Sequence, residues 1–380
     1  MKVALKNLVE IKSGYSPSTF ELMENGPIPY VKVEDMNNCT KYQNASREYC
    51  EDVDRSVPAG AIIFPKRGAA IMNNKVRITA TNICMDTNMM AIIPNGKIQS
   101  EFLYYTITYE KLSRIADTST IPQINNKHIN PYKIHLPPLP EQKAISALLS
   151  TWDEAIEKTE RLIQAKEANL KGQIQKLISQ RCDSWLHIKP KKLFDTITEK
   201  NFPDEELLSV TQDRGVIPRS MLEGRVMSPD GTTASYKLIK RGDFAISLRS
   251  FQGGIEYSNY QGIISPAYTV LRPKIELNRD FYRLFFKSHL FIEKYLNLAV
   301  IGIRDGKQIS IPDFLSIKIP VPPLEEQKEI AEALLICQHE IDLLKQLADK
   351  YKTQKRGLMQ KMLTGEWRVK PEIVNQYMEA

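Results

Sequence analysis

The clearest pattern along the chain is a stripe of apolar positions that returns at alternating spacings of four and three residues. The stripe occupies two stretches, one in the middle of the chain and one near its end. Its positions in the first stretch are Ile145, Leu149, Trp152, Ile156, Ile163, Leu170 and Leu177, and in the second Ile330, Leu334, Ile341, Leu344, Tyr351, Leu358 and Met362. This spacing is an a/d heptad seam, and it predicts two long helices.

Neither predicted helix can bury its stripe alone. The first, from Glu141 to Gln180, has 40 residues, which at about 1.5 Å per residue corresponds to roughly 60 Å. We therefore expect the two helices to pair as an antiparallel coiled coil, which would place two globular segments at opposite ends. Polar Thr159, Lys166 and Gln173 interrupt the seam and would be its weak points.

A proline cluster precedes each predicted helix and belongs to an internal repeat. The segment from Leu136 to Lys143 recurs as Val321 to Lys328, and Pro137 and Pro322 lie 185 positions apart. The same offset relates Gln123-Ile124 to Gln308-Ile309, while the register drifts by several residues in the interiors. The expected organisation is a globular domain over 1–140, a helix over 141–182, a second globular domain over 186–322, a second helix over 325–365 and a tail over 366–380.

The two globular segments have the pattern of mixed α/β domains. Short apolar runs bounded by Gly, Pro or Asn predict strands at 61–64, 89–93, 244–248 and 268–271. Helices are expected at 102–109 and 281–291, each opening after an acidic residue, Glu101 or Asp280. The predicted fold class is α/β (α+β), with two pseudo-repeated mixed domains separated by the two long helices.

Composition narrows the class of protein. With 42% hydrophobic and 26% charged residues, the 380-residue chain is expected to form packed, soluble domains. The longest apolar runs have about five residues, which argues against a membrane span or a secretory signal. The five cysteines form no CxxC pair, which argues against a disulfide framework and a zinc site and favours a reducing, cytoplasmic location.

No enzyme motif is complete. The segment from Gly302 to Gln308 lacks the glycine spacing and the Ser/Thr of a P-loop, and His339-Glu340 lacks the second histidine of a zincin site. Asn130-Pro131-Tyr132 lacks the second proline of the adenine methyltransferase motif. We therefore expect no catalytic residue, no metal site and no cofactor in this chain.

Basic and amide side chains close to glycines indicate a surface suited to a polyanion, and the net charge of +7 permits one. Arg and Lys neutralise phosphates, while Arg, Gln and Asn also bind base edges. The candidate DNA-contacting residues are Lys66, Arg67, Lys75, Arg77, Gln123 and Asn125 in the first half, and Arg214, Arg219, Arg249, Gln252, Arg304 and Lys307 in the second. Each of them also has the simpler interpretation of a solvated surface residue.

On these features the chain resembles the specificity subunit of type I restriction-modification enzymes. The resemblance covers essentially the full chain. It rests on two variable regions, each closed by a Pro-Pro-Leu-x-x-Gln-x-x-Ile junction, at 137–145 and 322–330, and followed by a long helix. The tail Met362-Leu363-Thr364-Gly365 is also typical of that family.

The resemblance implies that each globular domain is a target-recognition domain that reads one half of a split double-stranded DNA sequence. The helices would be a spacer that also docks two methyltransferase subunits, and restriction/translocase subunits would join the complex. S-adenosylmethionine would then be bound by the methyltransferase subunit. Because the two interiors differ, the DNA site is expected to be asymmetric and bipartite, and inserting residues into one helix before Gly172 is expected to change its gap.

Two other interpretations remain open at this stage. The same pair of helices could belong to a coiled-coil scaffold that binds proteins and never contacts DNA. The chain could also be a methyltransferase in its own right, with a site that no motif reveals. Salt-dependent DNA binding would separate the first of these from a DNA-recognition subunit.

Overall fold

A computed structural model of the protein describes residues 2–119, 121–222, 233–248, 253–302 and 307–378. The chain divides into two compact units. Unit 1 consists of Met1–Glu160 and Gln346–Ala380, and unit 2 consists of Arg161–Lys345. Each unit therefore contains one globular domain and a part of both long helices.

The helices are α1 (Ser100–Glu110), α2 (Leu112–Ile115), α3 (Asn126–Ile129), α4 (Leu139–Ile174), α5 (Pro190–Leu193), α6 (Arg279–Phe285), α7 (Ile311–Ser316), α8 (Leu324–Leu363) and α9 (Pro371–Asn375). The strands of unit 1 are β1 (Lys2–Ala4), β2 (Val9–Ser13), β3 (Ile28–Val31), β4 (Tyr42–Gln43), β5 (Tyr49–Cys50), β6 (Ile62–Pro65), β7 (Arg77–Thr79), β8 (Cys84–Met85), β9 (Met89–Pro94) and β10 (Lys133–His135). The strands of unit 2 are β11 (Leu186–Ile188), β12 (Phe194–Ile197), β13 (Leu208–Thr211), β14 (Gly215–Pro218), β15 (Lys237–Ile239), β16 (Phe244–Ser247), β17 (Glu256–Tyr257), β18 (Gly262–Ile264), β19 (Tyr268–Pro273), β20 (Val300–Ile301), β21 (Gln308–Ile309) and β22 (Ile319–Val321). The described part of the chain contains no helix that is both long and apolar enough to cross a membrane.

The globular domain of unit 1 is built on a sheet with the strand order β2-β9-β6-β7-β4. Neighbouring strands are antiparallel except for β4 and β7, which are parallel. The sheet is central because β6 and β9 carry continuous apolar runs, and Ile62 and Ile92 are fully buried. A smaller sheet has the order β5-β3-β8, and β1 pairs with β10.

The globular domain of unit 2 repeats this plan. Its main sheet has the order β12-β19-β16-β17, all antiparallel, which matches β2-β9-β6-β7 strand for strand. The pairing of β11 with β22 likewise matches that of β1 with β10. A tightly packed aromatic core supports the sheet, with Phe194, Phe244 and Phe286 within 6 Å of one another, ring centre to ring centre. The sequence repeat therefore corresponds to a repeat of the fold.

The predicted strands are confirmed, and the two predicted short helices need correction. Both helices begin before the acidic residue that was expected to precede them, because Gln99 and Asn278 cap them with their side chains. The helix expected over 281–291 is interrupted after Phe285. There the hydroxyl of Ser288 donates to the Phe285 carbonyl and accepts from the Phe291 N–H, and a π-helical turn, Phe291–Tyr295, follows.

The long helices pair antiparallel within each unit, as predicted. In unit 1, Asp153 and Glu160 of α4 form salt bridges with Lys355 and Lys352 of α8, so the numbering rises on one helix and falls on the other. In unit 2, Glu167 lies 2.7 Å from Lys345, and Lys166 lies 2.7 Å from Glu340. The weak point at Lys166 is therefore offset by an ion pair across the helices.

Half of the predicted seam residues are buried and the other half are partly buried. The buried members are Ile145, Leu149, Ile163, Leu170, Ile330, Leu334 and Ile341, and the half-buried ones are Trp152, Ile156, Leu344, Tyr351, Leu358 and Met362. The predicted Leu177 is only half-buried, whereas its neighbour Ile178 is fully buried. The reason is a π-helical turn, Gln175–Ser179, which shifts the register of the last turn.

Candidate nucleic-acid interface

Two of the polar loops predicted in the first half meet in unit 1. The loop that leaves β6 is held on one side by the Lys66 N–H, which donates to the Asn88 carbonyl over 2.7 Å. On the other side, the Ile124 N–H donates to the Lys66 carbonyl and the Gly68 N–H donates to the Pro122 carbonyl, both over 2.8 Å. Arg67 and Gln123 form a β-bridge across this contact. We call the region formed by residues 66–68 and 122–125 the polar joint.

The polar joint presents hydrogen-bonding groups of both kinds. Arg67 is exposed, and burial lowers the pKa of the half-buried Lys66. Asn125 is exposed at the start of α3, where its backbone N–H donates to Nδ1 of His128. Gln123 is half-buried and its backbone exchanges two hydrogen bonds with Asp117. A cationic side chain beside amide side chains can contact phosphate oxygens and base edges together.

One backbone bond of the polar joint recurs in the described part of unit 2. The Ile309 N–H donates to the Leu248 carbonyl over 2.8 Å, and these two residues follow Ile124 and Lys66 by 185 and 182 positions. The strands β20 and β21 pair with Ile301 opposite Gln308, which corresponds to the backbone pairing of Asp117 with Gln123 in unit 1. Lys307 is exposed immediately before β21. The candidates Arg249, Gln252 and Arg304 lie outside the described residues.

The other candidates of the first half are engaged away from the polar joint. The guanidinium of Arg77 donates to the backbone carbonyls of Met36, Cys39 and Val76, at 2.8 to 2.9 Å. Lys75 donates to the side chain of Asn37 over 2.7 Å. Both side chains therefore hold the segment 36–39 near β7 of the main sheet. Their contact with DNA stays a prediction, and these hydrogen bonds disfavour it.

The remaining candidates of the second half lie around the β13–β14 hairpin. Arg214 is exposed in its turn and donates to the Met221 carbonyl over 3.1 Å. Arg219 follows β14, is half-buried, and its backbone N–H donates to the Leu207 carbonyl. Their contact with DNA also stays a prediction.

Sequence reasoning missed the residues that attach each globular domain to the helices. The side chain of Gln142 accepts from the Gln99 N–H and donates to the Pro137 carbonyl, and Gln327 makes the same bonds to Asn278 and Pro322. The signal was present, because this glutamine is the invariant Gln of both copies of the proline junction, 185 positions apart.

The glutamate before each of these glutamines links the start of its own helix to the segment that follows the other helix. Glu141, nearly fully buried at the start of α4, accepts two hydrogen bonds from the guanidinium of Arg368, which follows α8. Glu326, near the start of α8, accepts from Arg181, which follows α4, and from the Trp185 indole. Each helix start is thus bonded to the end of the other helix by the same type of ion pair.

The comparison with known proteins agrees with this architecture. Residues 1–167 and 230–352 match the family model described as "Type I restriction modification DNA specificity domain". The type I restriction enzyme MjaVIII specificity subunit of Methanocaldococcus jannaschii is 27% identical over 321 residues, covering 75% of each chain.

Solved structures show the same fold at lower identity. The S subunit of a type I restriction-modification system from M. genitalium has a TM-score of 0.56 at 17% identity, with 96% of each chain covered. A chain from a structure described as "Structural basis underlying complex assembly and conformational transition of the type I R-M system" has a TM-score of 0.59 at 15% identity, covering 97% of this chain and 98% of that one. Together with the family match over most of its length, the repeated domains and paired helices identify this chain as a member of the type I restriction-modification DNA specificity family.

Proposed function

We propose that this chain is the non-catalytic DNA-recognition subunit of a type I restriction-modification complex. In this role each globular domain reads one half of a bipartite double-stranded site. The paired helices set the gap between the two halves.

One observation carries the proposal. The four-strand order β2-β9-β6-β7 of unit 1 recurs in unit 2 as β12-β19-β16-β17, and the backbone bond from Ile124 to Lys66 recurs as the bond from Ile309 to Leu248. A protein that reads two half-sites of one DNA duplex with two domains needs an equivalent recognition surface in each domain. The residues at the two joints differ, with Lys66-Arg67 in one half and Leu248-Arg249 at the matching positions of the other. We therefore infer an asymmetric site.

The helices offer apolar groups to protein partners. Leu162 is 43% exposed on α4 in unit 2, and Leu347 is 37% exposed on α8 in unit 1. The two residues lie 185 positions apart, so they occupy equivalent places in the repeat. Equivalent apolar positions suit two copies of the same partner. We infer that two methyltransferase subunits dock on the helices and that these subunits bind S-adenosylmethionine. We also infer that restriction subunits join the complex and that the complex is cytoplasmic.

The test is modified-base sequencing of the host genome with and without the gene. We expect methylated adenine in one two-part asymmetric motif to disappear when the gene is deleted. An unchanged set of methylated sites would contradict the proposal if the methyltransferase partner is expressed. Salt-dependent binding of DNA by the complex then decides against the scaffold interpretation, since a protein-only scaffold shows no counterion release.

A further inference from the structure

In unit 1 a polar network ties the globular domain to both long helices away from the start of α4. The hydroxyl of Tyr105, on α1, donates to the carboxylate of Asp153, on α4, over 2.6 Å. Asp153 also forms a salt bridge with Lys355 on α8, and the Lys355 ammonium lies 5.3 Å from the centre of the Tyr105 ring. Three elements are therefore joined through one carboxylate.

The globular domain adds a second cation to this network. The Lys41 ammonium, which precedes β4, lies 3.0 Å from the Tyr105 hydroxyl and 3.1 Å from Glu101. It also lies 4.8 Å from the centre of the Tyr105 ring. Tyr105 is fully buried, and burial raises the pKa of its hydroxyl, which therefore keeps its proton for Asp153. We call Lys41, Tyr105, Asp153 and Lys355 the clamp.

Unit 2 has a cavity at the equivalent place. On the long helices, the period of 185 relates Asp153 to Gln338 and Lys355 to Leu170. In the globular domains, Tyr105 corresponds to Leu284, because each lies six residues after the residue that caps its helix, Gln99 or Asn278. All three counterparts, Leu170, Leu284 and Gln338, line one cavity of about 490 Å³.

Nothing in these three side chains rebuilds the clamp. Gln338 donates to Asp342 on its own helix over 3.0 Å, and the two leucines have no polar group to offer. A charged pair in the cavity wall, Glu256 with Lys287, belongs entirely to the globular domain. Both units keep the bonds of Gln142 and Gln327 at the helix starts, so the difference described here does not involve those bonds.

We propose that Tyr105 and Asp153 are positioning residues, which fix the globular domain of unit 1 on the helix pair and so narrow the range of half-site gaps that the complex accepts. The globular domain of unit 2 is held less firmly beside its cavity. This inference rests on the proposed function, because only a bipartite reader has a gap to keep. The Tyr105 hydroxyl binds the Asp153 carboxylate on one helix, and that carboxylate binds Lys355 on the other helix. Such a network resists both rotation and sliding of the domain against the helices. A cavity lacks contacting atoms, so it resists these movements less.

The experiment uses the full chain in complex with its methyltransferase subunits. Selection from a random duplex library first gives the two half-sites and the preferred gap. Affinities are then measured for duplexes whose gap is longer or shorter by one base pair. We expect Tyr105→Phe to keep the affinity for the best duplex within about twofold and to reduce the penalty for a wrong gap by about threefold or more.

The matched control is Tyr132→Phe, which removes a tyrosine–carboxylate bond to Glu110 inside the same globular domain. Tyr132→Phe is expected to lower the melting temperature about as much as Tyr105→Phe does and to leave the gap penalty unchanged. Lys355→Gln serves as the second variant if Tyr105→Phe fails to fold. In unit 2, the triple variant Leu170→Lys, Leu284→Tyr and Gln338→Asp is expected to raise the penalty.

The outcomes separate the two levels of inference. If the wild-type complex selects no two-part sequence, the proposed function fails. If it selects one and both clamp variants retain the wild-type gap penalty, the clamp inference alone is overturned. An equal loss of the penalty in Tyr132→Phe would also overturn it, because general destabilisation would then be the cause.

Discussion

Gln142 and Gln327 make the same two hydrogen bonds at the starts of the two long helices. Each side chain accepts from the backbone N–H of a helix-capping residue and donates to a proline carbonyl, over distances of 2.8 to 2.9 Å. Both side chains are at least 98% buried. The glutamine common to both copies of the proline junction therefore satisfies backbone groups where the chain turns from sheet into helix.

Replacing Gln142 with alanine is expected to lower the free energy of unfolding by about 1–3 kcal/mol, because the Gln99 N–H and the Pro137 carbonyl lose their buried partner. Urea-induced unfolding of the full chain measures this change. Gln354→Ala, at an exposed position of α8, is the control and is expected to change stability by less than about 0.5 kcal/mol. Equal losses in the two variants would contradict the assigned role.

Glu141 and Arg368 predict a dependence of stability on acid. Burial raises the pKa of Glu141, but the hydrogen bonds from Arg368 and the Val369 N–H outweigh it and hold the pKa below the ordinary value. Because the folded-state pKa is lowered, the contribution to stability is fully present above the unfolded-state pKa and is lost as the pH falls through the folded-state pKa.

Glu141→Gln is therefore expected to destabilise the protein by about 1–2 kcal/mol at neutral pH, a modest value because Arg368 is 60% exposed. The difference from wild type should shrink as the pH falls below about 4. Melting temperatures measured across this range test it. A difference that stays constant with pH would exclude the ion pair as its source.

Arg67 is the described residue of the polar joint best placed to contact DNA, since it is exposed and carries a full charge. If it contacts a base, Arg67→Ala should relax specificity at one position of one half-site by about 1–3 kcal/mol. If it contacts phosphate, binding to all sequences should weaken alike, and the slope of affinity against salt should fall by about one.

Competition binding with duplexes mutated at single positions distinguishes the two results. Arg356→Ala, at an exposed position of α8, is the control. Unchanged affinity, specificity and salt slope in Arg67→Ala would remove Arg67 from the interface. The same comparison applies to Arg249→Ala for the second half-site.

The exposed Leu162 and Leu347 predict two equivalent docking positions. A charge on either apolar surface costs desolvation in the interface, so Leu162→Arg and Leu347→Arg should each lower the amount of methyltransferase subunit that copurifies. The double variant should lose more than either single one. Gln164→Arg adds the same charge at an exposed polar position and should have no effect. Full copurification in the double variant would place the docking surface elsewhere.

The sequence predicted the organisation of the fold because its repeat and its heptad seam are local patterns. The two long helices follow from the heptad spacing, and the four predicted strands follow from short apolar runs bounded by Gly, Pro or Asn. The antiparallel direction was expected because it places the two globular segments at opposite ends. The use of side chains inside the fold was not predictable in this way. Arg77 is a residue type that often contacts DNA, yet its guanidinium donates its hydrogen bonds to three backbone carbonyls.

Two other differences have local physical causes that spacing does not show. The π-helical turn at Gln175–Ser179 moves Ile178 into the seam in place of Leu177, and a period count assumes that no residue is added to a turn. Ser288 interrupts a run that is otherwise apolar and helix-like, because its hydroxyl takes over backbone bonds. The clamp was also invisible, since its four members are far apart in the chain.

The polar joint is held by main-chain atoms, with the Ile124 N–H on the Lys66 carbonyl and the Gly68 N–H on the Pro122 carbonyl. Every residue type except proline offers the same N–H and every type offers the same carbonyl. Side chains at exposed positions such as Arg67 can therefore be exchanged by mutation while the loops keep their course. A lineage could drift from one protected DNA sequence to another through single codon changes, with the scaffold inherited intact.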